Sequence, residues 1–329
     1  MARFVSTPAL CAALATLSLP SLADAAADER GTLTTTVEND VVSGQDRHYT
    51  NGLRLAYVTA PVKPNALERW LGGLRAEEGT VRRSFAAGQS IYTPENIFTA
   101  KPLPGDHPYA GHLFAEAALL TEKNGRWDLY TLEVGIVGSA ALAEETQNWF
   151  HRSFDFIEAQ GWDSQLENEA AINFSYDWKG APVAKGEVGT LDWEVTPAAG
   201  LSLGNVAVNA RAGGMLRIGD SLDPNFGPAR IRPSLTGSGH YAENPGFGWY
   251  AFAGVQGRVV GHDIFLDGSL FRDDETGVEK NSFVADAQAG LALTYGRAQL
   301  SWTYVHRTER YEAQNGADAF GALSLSIKL

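Results

Sequence analysis

Gln147 and His151 stand four positions apart in the stretch SAALAEETQNWFHRSF. On a helix that spacing puts both side chains on one face. A histidine titrates near working pH and can take a proton from water, while a polar neighbour orients the ring or the water. The same spacing equally suits a surface histidine on an amphipathic helix. A second group lies in VENDVVSGQDRHYTNG (37–52), where Asn39, Asp40 and Thr50 offer hard oxygen ligands of the kind Ca²⁺ prefers. Asn and Asp are also ordinary turn residues. Alternation along a strand should send Asn39 and Asp40 to opposite faces, one toward each side, unless a bulge intervenes. Other chemistry finds no setting: Ser43, Ser90 and Ser153 lack a G-x-S-x-G frame, and neither H-E-x-x-H nor a D-x-D-x-D-G calcium loop occurs. The acidic run DDET (273–276) reads as a solvated loop tip.

The elements that must position these groups are strands. In NSFVADAQAGLALTY (281–295), Phe283, Ala285, Ala287, Ala289, Leu291, Leu293 and Tyr295 share one face, with Asp286, Gln288 and Thr294 on the other. AQLSWTYV repeats the period with Leu300, Trp302 and Tyr304 against Gln299, Ser301 and Thr303, and the chain ends in the same way with Leu323, Leu325, Ile327 and Leu329 against Ser324, Ser326 and Lys328. Period two marks strands with unlike faces. A soluble β-sandwich alternates too. The length of the segments, the aromatic residues among outward positions and an amphipathic strand at the carboxyl end favour an all-β, transmembrane antiparallel barrel. About twelve strands are expected, near 31–41, 50–60, 82–91, 111–122, 127–138, 171–179, 192–204, 207–218, 249–262, 283–295, 297–309 and 319–329. Between the fifth and sixth, residues 139–170 form an insert in which SAALAEETQNWFHRSF and GWDSQLENEA both read as helical. A long loop on a barrel is disordered, a plug or functional.

Residues 1–25 have one early charge at Arg3, an apolar middle and the small-x-small triplet Ala23-Asp24-Ala25, the pattern of a secretory signal peptide, which leaves 26–329 as the barrel domain. The sole cysteine, Cys11, falls inside that leader, so neither disulfides nor thiolate metal sites are expected. Losing Arg3 and Asp24 together keeps the net charge at −13, which argues against nucleic acid as a partner.

Taken together, VENDVVSGQDRHYTNG, GQSIYTPENIF (88–98), DHPYAG (106–111), GIVGSAALAEETQNWFHR (135–152) and GWDSQLENE (161–169) resemble the outer-membrane lipid A 3′-O-deacylase family, in order through the amino-terminal half. The resemblance implies a twelve-stranded outer-membrane barrel that removes the 3′ acyl substituent of lipid A with Ca²⁺. It puts Asn39, Asp40 and Thr50 on the family's strand-end polar residues, as catalytic groups and metal ligands, and Gln147 and His151 on its helix pair. A family lysine follows a Tyr-Ser/Thr-Pro motif; Lys101, somewhat further past Pro94, takes that place as a lipid A phosphate ligand, and His107 stands where an arginine often precedes Pro-Tyr-Ala-Gly. On this reading His151 activates water, a calcium ion near Asp40 steadies the oxyanion, and Gln147 orients the water or His151. Arg54, with Arg47, His48 and Arg152, lies close in sequence to meet an anionic lipid, or pairs with carboxylates in the lumen or at the rim. The expected partners are lipopolysaccharide in the outer leaflet and the membrane, with the enzyme a monomer. An outer-membrane phospholipase with a serine nucleophile, a passive porin and a soluble carbohydrate-binding sandwich are the alternatives, and the roles of Glu144, Glu145 and Glu158 stay open.

Overall fold

A computed structural model describes residues 30–40, 44, 47–222, 227–231, 234–272 and 276–329. The leader at 1–25, Ser43 and acidic residues 273–275 lie outside the described residues. The described residues form thirteen strands: β1 (Thr32–Asn39), β2 (His48–Val58), β3 (Thr80–Thr93), β4 (Ala110–Lys123), β5 (Arg126–Val137), β6 (Glu169–Lys179), β7 (Ala184–Val188), β8 (Leu191–Gly204), β9 (Ala207–Gly219), β10 (Asn244–Asp263), β11 (Phe283–Gly296), β12 (Ala298–Arg307) and β13 (Asp318–Lys328). Neighbours pair antiparallel, β1 pairs with β13, and β6 pairs with β8 across the short β7. Twelve strands thus close a barrel with no free edge. β7 forms a hairpin on the first residues of β8 outside that ring, a strand the periodicity did not signal.

The barrel inverts the burial rule of soluble proteins. On β12, Gln299, Ser301 and Thr303 are buried toward the lumen, whereas Leu300, Trp302 and Tyr304 are exposed on the outer wall. Inside, charges are paired: Arg211 with Asp177 at 2.6 Å, Arg307 with Asp286 at 2.8 Å, and Arg230 with Glu38 at 3.1 Å. An outer wall of apolar side chains around a polar interior suits strands that cross a bilayer, where an outward charge at mid-depth costs about 2–4 kcal/mol.

An even strand number returns β13 to the end at which β1 starts, here the terminal end. Two of its turns are very short: Asn124 (φ 54°) and Gly125 (φ 69°) make a two-residue connection of the left-handed kind that suits hairpin twist, and Gly296 (φ 55°) opens the other. The described residues 227–231 and 234–241 of the β9–β10 connection lie in the lumen. Ile231 N donates to Glu38 Oε1 at 3.0 Å, Arg230 Nη1 to Gln288 Oε1 at 2.9 Å, and Ser324 Oγ to Ala229 O at 2.8 Å, so the segment is tied to β1, β11 and β13.

The opposite, loop end holds the β1–β2 connection, the long β3–β4 and β5–β6 loops, and the four-residue helix α3 (Ile264–Asp267) after β10. Between β5 and β6 stands α2 (Ala143–Ser153). The second helical segment expected in the insert is not formed: GWDSQLENEA makes one 3-10 turn at Trp162–Ser164 and runs extended into β6. A helical segment that the sequence reading passed over, α1 (Ala66–Glu78), two short helices meeting at a kink at Gly73, joins β2 to β3 at the terminal end.

Candidate active site

α2 lies against the outside of the barrel mouth. Its approach needs Gly111 on β4, where a Cβ would stand 2.6 Å from Ala143 Cβ. Gln89 Nε2 on β3 donates to Ala141 O at 2.7 Å and fixes the helix start. Tyr109, Trp162, Ala143, Ile91, Ile97 and Ala159 fill the space behind α2 as one apolar cluster. The Pro-Tyr-Ala-Gly and Gly-Trp-Asp motifs therefore supply scaffold rather than reacting groups.

Gln147 and His151 are both buried on the face of α2 turned to the barrel. His151 Nδ1 lies 2.5 Å from Ile157 O, and since a carbonyl only accepts, Nδ1 carries the proton and Nε2 is the basic nitrogen. Gln147 Oε1 accepts from Trp162 Nε1 at 2.9 Å. An indole N–H only donates, so the amide orientation is determined and Nε2 is the remaining donor. That Nε2 is buried without a hydrogen-bond partner. An unmet buried donor costs about 1–3 kcal/mol, which a bound water or substrate oxygen would recover.

The strand-end group is built around a bulge. The β2–β3 register slips between Tyr49 and Asn51, so that Thr50 is the extra residue. Tyr49 consequently turns inward onto Phe320 and Tyr92, with ring centroids 5.1 and 5.5 Å away. Thr50 Oγ1 pairs with Thr93 Oγ1 at 2.7 Å, and Asn39 Nδ2 donates to Thr50 O at 3.0 Å. Asp40 is buried, its Oδ2 accepting from Arg47 N at 2.7 Å. Asn39, not Asp40, lines the outer groove.

These parts meet in a groove of ≈ 390 Å³ on the outer wall. Its polar end is formed by Asn39, Thr50, Gln147 and His151, and its apolar length by Val37 and Leu53 of the wall and by Trp149, Phe150 and Phe156 of the insert. A smaller cavity of ≈ 90 Å³ lies in the lumen among Glu116, Glu133 and Arg258, apart from His151.

As a cation site, Asn39, Asp40 and Thr50 provide a carboxylate, an amide oxygen and a hydroxyl, all hard donors that fit Ca²⁺ in type. Only one is a carboxylate, and among the described residues no three His, Cys, Asp or Glu side chains gather as a metal cluster. Backbone oxygens and water would have to complete such a shell.

Two expected substrate ligands lie elsewhere. Arg54 points into the lumen and is ion-paired and hydrogen-bonded to Glu116, because its even position on β2 is lumenal. Lys101 lines an open depression with Leu103, Gln165 and Glu167. Arg152 pairs with Glu158 at 3.2 Å on the surface, and Glu144, raised by partial burial, Glu145 and Asp163, sits at the start of α2. His48 and His107 belong to a buried network at the mouth. His48 Nδ1 meets Asp318 Oδ1 at 2.7 Å and its Nε2 meets the Tyr311 hydroxyl at 2.7 Å. Burial, reinforced by Arg310 and His48, pushes the His107 imidazole well below its ordinary range, and Arg310 Nη1 donates to its Nε2 at 3.2 Å. The reading from sequence missed Trp162 as the partner of Gln147, the carbonyl of Ile157, and the aromatic groove walls. The Trp-Phe pair before His151 and the quoted Gly-Trp-Asp motif were the available signals.

The family "Outer membrane protein LpxR" matches residues 9–329. Among solved structures, LpxR from Salmonella typhimurium aligns at TM-score 0.74 and 20% identity, covering 91% of this chain and 100% of that one. The β domain of the Bordetella autotransporter BrkA aligns at TM-score 0.38 and 11% identity over 91% of this chain and 96% of its own, a likeness too slight to bear on function. No curated protein matches. The chain belongs to the LpxR family of outer membrane proteins, the lipid A 3′-O-deacylases its motifs resemble, and so to the outer-membrane ester hydrolases.

Proposed function

We propose that the outer groove hydrolyses the ester joining the 3′ acyl substituent to lipid A, with His151 as the base that activates water. One observation carries this reading: a histidine with Nε2 as its basic nitrogen and a buried, unmet amide N–H of Gln147 stand at the head of an apolar trough on the lipid-facing wall. The trough opens at the loop end, where a bacterial barrel meets the outer leaflet. An acyl chain lying along Val37 and Leu53 brings its ester to the polar end.

His151 Nε2 takes a proton from water as the water oxygen bonds to the acyl carbon. Gln147 Nε2 donates to that oxygen and holds its lone pair on line. The tetrahedral adduct then breaks its bond to the sugar oxygen, and the proton on His151 passes to the departing oxygen. The products are a fatty acid and a free 3′ hydroxyl. Asp40, with oxygens of Asn39 and Thr50, would hold Ca²⁺, which when bound supplies positive charge to the developing oxyanion.

The phospholipase reading needs a serine nucleophile, and none lines the groove among the described residues. The porin reading needs an open lumen, which the inward β9–β10 segment obstructs with Arg230 bridging Glu38 and Gln288. Purified protein in mixed micelles with lipid A tests the proposal. Expected are release of a fatty acid, loss of activity on chelation with recovery on adding Ca²⁺, and indifference to a serine-directed fluorophosphonate. Stoichiometric inactivation by that reagent would contradict it.

A further inference from the structure

The helix α1 packs on the outside of the barrel at the terminal end. Val81, Leu119 and Thr121 occupy outward positions of β3 and β4, yet they are buried. Ala76 clusters with Val81 and Leu119, and a Cβ at Gly72 would stand 2.9 Å from Thr121 Cγ2, so α1 is what covers them. The helix is built to stay there. Asn65 Oδ1 accepts from Glu68 N at 3.0 Å and Glu68 Oε2 from Asn65 N at 2.7 Å, a reciprocal cap. Glu68 is in turn bound by the outward guanidinium of Arg83 at 2.6 Å.

The opposite side of α1 carries Leu67 at 63% exposure and Trp70 at 78%. At the same end the wall displays Tyr57, Phe247 and Tyr295 among its exposed residues, an aromatic band at the level where hydrocarbon meets headgroups. The exposed side of α1 is therefore continuous with the lipid-facing surface of an outer-membrane barrel. We propose that α1 is an interfacial helix whose Leu67 and Trp70 enter the phospholipid of the periplasmic leaflet. It would hold the barrel at a set depth, opposite the outer-leaflet end where the groove opens.

Site-directed spin labelling tests this directly. In a Cys11→Ser background, Leu67→Cys and Trp70→Cys each provide a single thiol for a nitroxide, and both sites are exposed enough to accept it without disturbing the fold. Phe85→Cys on the lipid-facing wall and Glu187→Cys on the β7 hairpin serve as references. The protein is reconstituted in phosphatidylethanolamine/phosphatidylglycerol vesicles, and collision with O₂ is compared with collision with a water-soluble Ni(II) chelate. The O₂-to-chelate ratio at 67 and 70 is expected to match that at 85 and to exceed that at 187 several-fold. A ratio equal to that at 187, or protection from both reagents, would overturn the proposal.

Discussion

Among single residues, the two polar side chains of α2 divide the labour of the proposed reaction. His151→Ala should lower turnover by about 10²–10⁴ with the protein still folded, the range for a true general base. Gln147→Leu should lose both halves of its role. Trp162 Nε1 would be left without its 2.9 Å acceptor, costing about 1–3 kcal/mol of local stability, and water would lose its donor, costing about 10² in kcat with little change in KM. Steady-state kinetics on micellar lipid A separates these. His107 makes a prediction about pH. The unfolded chain protonates this imidazole as pH falls through about 6.5, whereas the folded one resists until lower, so its contribution is full above that pH and is lost on acidification. Thermal midpoints in detergent should fall from pH 7 to pH 5, with a slope of up to about 1.4 kcal/mol per pH unit from this group, and His107→Gln should flatten that slope. The i, i+4 pairing of Gln147 and His151 was legible in sequence because helix geometry fixes it locally. Trp162 was not, since a loop delivers it from fifteen positions away. For Arg54 the sequence left lipid binding and a lumenal pair with a carboxylate side by side, and the second is what β2 makes.

At the scale of elements, alternation was enough to locate all twelve barrel strands, because each needs one polar and one apolar face. The Thr50 bulge was invisible to it, since one inserted residue leaves composition unchanged and alters only the register. α1 escaped notice because Gly72 and Gly73 interrupt its apolar pattern, and Gly73, at φ 51°, breaks the helix into two short pieces. The start of α2 carries a cost of its own. Leu142 holds φ 58° at its amino-terminal cap while its side chain stays exposed, a conformation that costs a non-glycine residue about 1–2 kcal/mol. Leu142→Gly should therefore steady the insert by about 1 kcal/mol, seen as a roughly fivefold slowing of amide exchange along α2. Deacylation should be unaffected, because Leu142 lies outside the groove.

At the scale of the whole molecule, the barrel is a scaffold with a closed interior and a working exterior. Its lumen is crosslinked by ion pairs and by the β9–β10 segment, so planar bilayers containing the protein should show no steady conductance. Arg230→Ala would leave the buried lumenal carboxylate of Glu38 without its cation and should cost about 3–5 kcal/mol of unfolding free energy in detergent. On the proposed reading the chemistry is on the outer wall, beside the acyl chains of the outer leaflet, so a lipid need not leave its leaflet to be cut. Mass spectrometry of lipid A from cells carrying wild-type protein or His151→Ala at matched outer-membrane levels tests that claim most directly. A species lighter by the 3′ acyl substituent is expected with wild type alone. Equal loss of that substituent with both proteins, or unaltered lipid A with both under calcium-replete conditions, would contradict it.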